Sequence, residues 1–201
     1  NNIKQIYNFS DFQSESLALL ENKKVISVGR LTEQKGYNYL IEAWAIIKNK
    51  KSDWILEIYG EGDLYNELFQ QIKDCRLENH VFLKGRTNQV QEKMLESSIF
   101  ALSSRYEGFP MVLLESMACG VPVVSFDCET GPAEIIENND CGILVENRNV
   151  SKLAEALLKM MEDKELRKKS GEIAKIKSAN FSKSKIMTQW SDLFDCLTHH
   201  N

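Results

Sequence analysis

Two glutamates, Glu107 and Glu115, stand eight positions apart in the stretch SRYEGFPMVLLE. Glu115 lies among Leu113, Leu114, Met117 and Ala118, on a segment apolar nearly all round, where a lone carboxylate needs a partner. A carboxylate accepts two hydroxyl hydrogen bonds at once, which makes it a reader of vicinal diols. Far upstream, GRLTEQKG places Arg30 and Lys35 on one short loop ahead of a helix. Arginine offers a bidentate fork, lysine a point charge, and a helix N-terminus a partial positive charge, so the loop suits a pyrophosphate. A solvated loop with two surface cations is the alternative for that motif. A diphosphate carrying a sugar at each end, a nucleoside diphosphate sugar, would engage all four side chains.

The elements that must position these residues alternate along the chain. Strand-length apolar runs fall at 23–29, 53–60, 80–85, 99–104, 121–126 and 141–146. Helical patterns fall between and after them, at 36–50, 63–75, 88–98, 110–120, 131–138, 150–162, 163–178 and 183–197. Strands apolar on both faces, each followed by a helix, predict an α/β fold: a doubly wound, Rossmann-like parallel sheet of about six strands with helices on both faces. Ligands bind such sheets beyond the carboxyl ends of the strands, where the strand order reverses.

Each strand therefore delivers a loop to that edge. Gly29, after the first strand, is expected to let the backbone turn sharply. GEGD follows the second; its G-x-G is a weak signal, and a turn with Asp63 as helix cap explains it as well. GRTN follows the third, where Gly85 would let a flat ligand approach the backbone and Arg86 would stack on it or lie exposed; Asn88 is the expected cap of the next helix. The helix at 110–120 is expected to carry Pro110 in its first turn and Gly120 just past its end. DCETGPAEII, at 127–136, reads equally as a strand-to-helix turn or as part of a sugar site. Neither the G-x-G-x-x-G dinucleotide fingerprint nor the Walker A loop occurs, which argues against nicotinamide and ATPase chemistry.

Composition sets the remaining limits. The 201 residues, 43% hydrophobic and 27% charged, are enough for one large domain with a real core. A net charge of -4 gives no support for nucleic-acid binding. Five cysteines without CxxC spacing read as reduced thiols of a cytoplasmic protein, and three histidines, one at position 80 and two near the end, do not make a His-based metal site. No apolar run approaches the length of a membrane span. Lys164, Arg167, Lys168, Lys169, Lys175 and Lys177 read as a solvated basic face rather than a membrane contact. The opening NNIKQIYNFSDF, without an initiator Met, is expected to be the cut edge of a longer chain.

In order, VGRLTEQKG, IYGEGDL, VFLKGR, LSSRYEGFPMVLLESMACGVPVVSF and GILVENRNVSKLAEALLKMMED make the chain resemble the C-terminal, donor-binding half of GT4-type glycosyltransferases of the GT-B fold. The resemblance covers nearly the whole length, and its E-x7-E pattern falls on Glu107 and Glu115. It implies an enzyme that transfers a hexose-type sugar from a UDP or GDP sugar to a glycan or lipid-linked acceptor, with retention and without a bound metal or other cofactor. It implies that Glu115 holds the ribose hydroxyls, that Glu107 contacts the donor sugar, and that Arg30 and Lys35 neutralise the departing diphosphate. Gly29, Gly85, Arg86 and the backbone of Gly108, Phe109, Pro110, Met111 and Val112 would complete the donor site. Many relatives have Gly where Pro110 stands; proline lacks an N–H, so the amides of Phe109, Met111 and Val112 are expected to carry the phosphate contact.

The same resemblance divides the chain into an entering linker (1–20), a nucleotide-sugar domain (21–180) and a final helical segment (181–201) that packs back on an absent acceptor-binding half. The fragment alone is expected to bind nucleotide weakly and to transfer little sugar. The acceptor, and any peripheral contact with the inner face of the cell membrane, would belong to the absent half. A non-catalytic nucleotide-sugar module and a GT-B epimerase are the alternatives.

Overall fold

The computed structural model describes residues 3–136 and 140–198. Six strands form one sheet: β1 (Lys24–Val28), β2 (Ile55–Tyr59), β3 (Val81–Leu83), β4 (Ile99–Leu102), β5 (Val123–Asp127) and β6 (Gly142–Glu146). Every pairing is parallel and the order is β3-β2-β1-β4-β5-β6. The chain winds outward from β1 in one direction and from β4 in the other. The reversal falls between them, where Val25 pairs with Ile99 and Ile26 with Phe100.

Among the described residues there are eight α-helices: α1 (Tyr37–Ile47), α2 (Tyr65–Asp74), α3 (Val90–Leu95), α4 (Met111–Ala118), α5 (Pro132–Ile136), α6 (Val150–Glu162), α7 (Lys164–Ser178) and α8 (Lys183–Thr198). Successive strand residues point to opposite faces, so both faces must be apolar when both are covered. Val25, Leu56 and Ile58 bury themselves under α1, α2 and α6, with Trp44 fully enclosed. Ile26, Phe100 and Val123 do the same under α4, α5 and α7. This is the doubly wound architecture that the sequence predicts.

Helix caps follow prediction less closely. Asn149 accepts the Lys152 N–H at 3.1 Å to cap α6, and Asp163 accepts the Leu166 N–H at 2.8 Å to cap α7. Asn88 and Asp63 do not cap: α3 starts after Gln89 and α2 after Leu64, and neither of those side chains makes a cap bond. The Thr87 hydroxyl instead accepts the Gln89 N–H at 3.0 Å. Pro110 is the residue before α4, not a member of its first turn. The expected helix at 131–138 is seen as α5, and its last positions, 137–138, lie outside the described residues.

The segment around Ser10 meets the turn ahead of α8. The Ser10 N–H donates to the Phe181 carbonyl at 2.9 Å, and Ser10 bridges to Ser182. The expected solvated basic face is half structural. Arg167, 6% exposed, donates to the Met160 and Met161 carbonyls at the end of α6. Lys175 donates to the Ser14 and Ala118 carbonyls, and Lys177 pairs with Asp140 at 2.7 Å. These cations tie α7 to its neighbours, and the Met160, Met161 and Ala118 carbonyls take them because carbonyls at helix ends need donors that the helices cannot supply.

Candidate functional site

The loop after β1 and the loop after β4 meet at the strand-order reversal and are stitched together. A short 3-10 turn, Glu33–Lys35, leads to Gly36, whose φ of 58° is left-handed and which precedes α1. A Cβ on Gly36 would collide with the Ser103 carbonyl oxygen, so only glycine fits. The Arg105 N–H donates to the Gln34 carbonyl at 2.7 Å, the Ser103 hydroxyl to the Lys35 carbonyl at 3.0 Å, and the Gln34 amide to the Tyr106 carbonyl at 3.2 Å. The two loops thus form one unit.

Lys35 and Glu107 face each other within it. The Lys35 ammonium donates to Glu107 Oε1 at 2.6 Å, with side chains only 15% and 7% exposed. The Ser104 hydroxyl, also buried, donates to the same oxygen at 2.6 Å. The Thr130 hydroxyl, from the loop after β5, donates to the Glu107 carbonyl. Gly131, at φ 93°, packs on Pro110 and Gly108 and holds that loop close. The DCETGPAEII segment therefore buttresses the Glu107 loop. Tyr37 lies beneath, and burial, with the Glu107 charge adding to it, pushes its hydroxyl well above the ordinary range.

Glu115 stands in the second turn of α4, half-buried. Burial raises its carboxyl above the ordinary value, and it has no hydrogen-bond or ion-pair partner among the described residues. Between the two glutamates lies the start of α4. The Leu113 N–H is taken by the Pro110 carbonyl at 2.9 Å, which leaves the first-turn amides of Met111 and Val112 as open donors. Phe109 stacks on Tyr7 at 5.2 Å and packs against Phe181, fixing the loop from its other side.

Arg30 lies a short distance along the edge, exposed and without an ion pair among the described residues. With Gly29, Tyr59, Gly60, Arg86 and Thr87 it lines a cavity of about 450 Å³. Gly29 is not among the glycines with positive φ; a side chain there would crowd the Tyr37 hydroxyl at 2.9 Å and the Lys35 stem at 3.2 Å. The G-x-G of GEGD is a packing feature: a Cβ on Gly60 or Gly62 would strike the Gly29 or Leu31 carbonyl. Gly85, at φ 70°, has open space over its Cα, and its carbonyl accepts the Gly60 N–H at 2.9 Å.

The site so formed brings Lys35, Glu107 and the start of α4 together, with Arg30 and Arg86 beside the cavity. Sequence reasoning missed Ser104, Thr130 and Ser103. A serine three residues before an acid carries no signal until the loop's shape is known. Among the described residues no cluster of His, Cys, Asp and Glu could hold a metal ion; His199 and His200 lie outside them. Five free cysteines are present, and burial pushes the Cys119 and Cys128 thiols up to about 11. No helix among the described residues is long and apolar enough to cross a membrane.

A six-stranded, doubly wound α/β domain with its polar side chains gathered at the strand-order reversal defines a Rossmann-like ligand-binding domain. The chain belongs to the glycosyl transferases group 1 family, whose model matches residues 9–177. It is 32% identical to the amylovoran biosynthesis glycosyltransferase AmsD of Erwinia amylovora, over 96% of this chain and 56% of that one. It is 38% identical to a Campylobacter jejuni N-acetylgalactosaminyltransferase acting on a diphospho-undecaprenol-linked sugar, over 90% of this chain and 50% of that one. In structure it matches TarM of Staphylococcus aureus, crystallised with UDP among its ligands, with a TM-score of 0.85 and 29% identity over 96% of this chain and 40% of that one. The chain spans about half the length of the curated relatives it matches.

Proposed function

We propose that residues 21–180 are the donor-binding domain of a retaining, metal-independent glycosyltransferase of the GT4 type, specific for a nucleoside diphosphate sugar. The observation that carries this reading is the pair of carboxylates flanking the start of α4. Glu107 is held by Lys35, and Glu115 is half-buried with no partner among the described residues. A half-buried carboxylate without a partner costs stability, which a diol donor would offset. The ribose hydroxyls are that diol. The diphosphate lies between, on the Met111 and Val112 amides and the Lys35 and Arg30 cations, and the base lies towards Gly85 and Arg86. UDP is the favoured nucleotide, because TarM carries it; GDP is the other candidate.

In transfer, the bond between the anomeric carbon and the β-phosphate oxygen breaks, and negative charge grows on the departing diphosphate. Lys35, Arg30 and the α4 amides meet that charge with donors gathered at the site before the bond breaks. The sugar goes to a glycan or lipid-linked acceptor held by a second domain, which residues 3–20 and α8 adjoin. The protein would act in the cytoplasm, with any peripheral membrane contact made by that second domain.

Calorimetry on this chain with UDP, GDP and ADP tests the reading. One nucleotide binds, and Glu115→Ala abolishes the binding. Equal or no binding of all three to a folded sample would sink it.

A further inference from the structure

We infer that Ser104 is a positioning residue for donor-sugar recognition, acting through the Glu107 carboxylate. This rests on the donor-site reading above. The Ser104 hydroxyl and the Lys35 ammonium both donate to Glu107 Oε1, each at 2.6 Å. Oε2 takes no donor among the described residues, although the side chain is only 7% exposed. The protein has therefore used one oxygen of the carboxylate to fix its orientation and kept the other as a free acceptor. A hydroxyl donor and a cation on one carboxylate oxygen leave its lone pairs engaged, so a sugar hydroxyl must bond to the other.

The two donors are not equivalent. Lys35 has three N–H groups; one goes to Glu107, and the others remain for the diphosphate. A diphosphate attracts the ammonium and can draw it from the carboxylate. Ser104 has one proton and no such competing partner. It is buried, 1% exposed, in the loop leaving β4, three residues before Glu107. When Lys35 turns to the phosphates, the Ser104 hydroxyl alone still holds Oε1. The backbone of Glu107 is fixed separately by Thr130, so removing the Ser104 hydroxyl frees the side chain without freeing the loop. Ser104 thus acts on the sugar end of the donor and leaves the nucleotide end to Glu115 and the cations.

The test uses calorimetry with UDP, UDP-glucose and UDP-N-acetylglucosamine on this chain. The readout is the ratio of UDP-sugar affinity to UDP affinity. The wild-type chain gains affinity from one of the sugars. Ser104→Ala reduces that gain by about tenfold, or to nothing if the gain is smaller, the scale of one hydrogen bond to a charged group. Its UDP affinity stays within about twofold of wild type, and Ser104→Thr, which keeps the hydroxyl, restores the gain. In a Glu107→Leu background, which removes the acceptor, Ser104→Ala has no further effect, since the serine acts only through that carboxylate. Equal weakening of UDP and UDP-sugar, or an additive effect in the Glu107→Leu background, overturns the proposal and shows a merely structural serine. A chain that binds UDP with no gain from either sugar also overturns it. A chain that binds GDP in place of UDP is put through the same comparison with GDP-sugars, whereas a folded wild-type chain that binds none of UDP, GDP and ADP removes the donor-site reading itself, and this proposal with it.

Discussion

Lys35 and Glu107, seventy-two residues apart in sequence, meet at 2.6 Å across the point where the strand order reverses. Neither group is well hydrated, so removing one partner strands the other charge. We expect Lys35→Met to lower unfolding stability by about 2–4 kcal/mol and Glu107→Leu by a similar amount. The double variant should recover much of that loss, because it removes both charges together. Urea unfolding of the four proteins gives the coupling energy directly. Single losses under about 0.5 kcal/mol would place the pair with ordinary surface ion pairs.

Glu115 makes the opposite prediction. Burial raises its carboxyl above the usual 4.5. A raised folded-state value favours the folded chain most below the unfolded value, and that contribution disappears as the pH climbs through the folded value. Above it the ionised side chain is a cost. Glu115→Gln should therefore raise the Tm by about 1–3 °C at pH 7 and leave it unchanged well below pH 4.5. The same substitution should abolish nucleotide binding. Site residues commonly cost stability in this way. Wild-type UDP affinity should also fall as the pH drops through the raised value, since a protonated carboxyl accepts fewer hydrogen bonds. A Glu115→Gln protein less stable than wild type at neutral pH would mean that the carboxylate has a partner in solution.

Much of the fold was legible in the residues, and less of the site. Apolar runs such as Val121–Phe126 must be strands covered on both faces, and their alternation with helical patterns admits little but a doubly wound sheet. Glu115 stood out among apolar neighbours, Glu107 by its spacing from it, and Arg30 and Lys35 as two cations on one short loop ahead of a helix. Ser104 and Thr130 did not, since a hydroxyl means nothing until the loops after β4 and β5 are brought together. The cap position of α2 slipped for a related reason: the Leu64 N–H is drawn to the Leu31 carbonyl at 3.1 Å, a contact between separate loops. Gly29, Gly60 and Gly62 were visible as glycines but not as the contact surface between two loops.

Those glycines separate packing from conformation. A Cβ at Gly60 would run into the Gly29 carbonyl, and Gly60 also has a φ of 149°. A Cβ at Gly108 meets nothing within 4 Å. We expect Gly60→Ala to cost about 2 kcal/mol or more and to weaken nucleotide binding, because it pushes the Arg30 loop aside. Gly108→Ala should move the Tm by less than about 2 °C, and should weaken donor binding only if the sugar passes over that backbone. Thermal unfolding of both variants, with and without UDP, checks the contrast.

Helix α8 bears on the proposed division of the chain. It buries Ile186 alone, yet Met187, Trp190, Phe194 and Leu197 recur at helical spacing and stand exposed, with Trp190 stacked on Phe194 at 5.9 Å. An apolar stripe of that kind on an ordered helix is a surface made to be covered. The chain spans about half of its curated relatives' length, and the turn that leads into α8 adjoins the entering segment through Ser10 and Phe181. The proposed cover is the acceptor-binding half. Replacing Trp190 and Phe194 by serine should then leave the Tm of this chain within about 2 °C, since neither side chain fills its core. It should also reduce self-association, read by analytical ultracentrifugation. Grafted into a protein of the relatives' full length, the same pair of substitutions should lower the Tm and the transfer rate together. If the pair destabilises the short chain as much as a core substitution would, about 2–5 kcal/mol, then α8 folds onto this domain and the division at residue 181 fails.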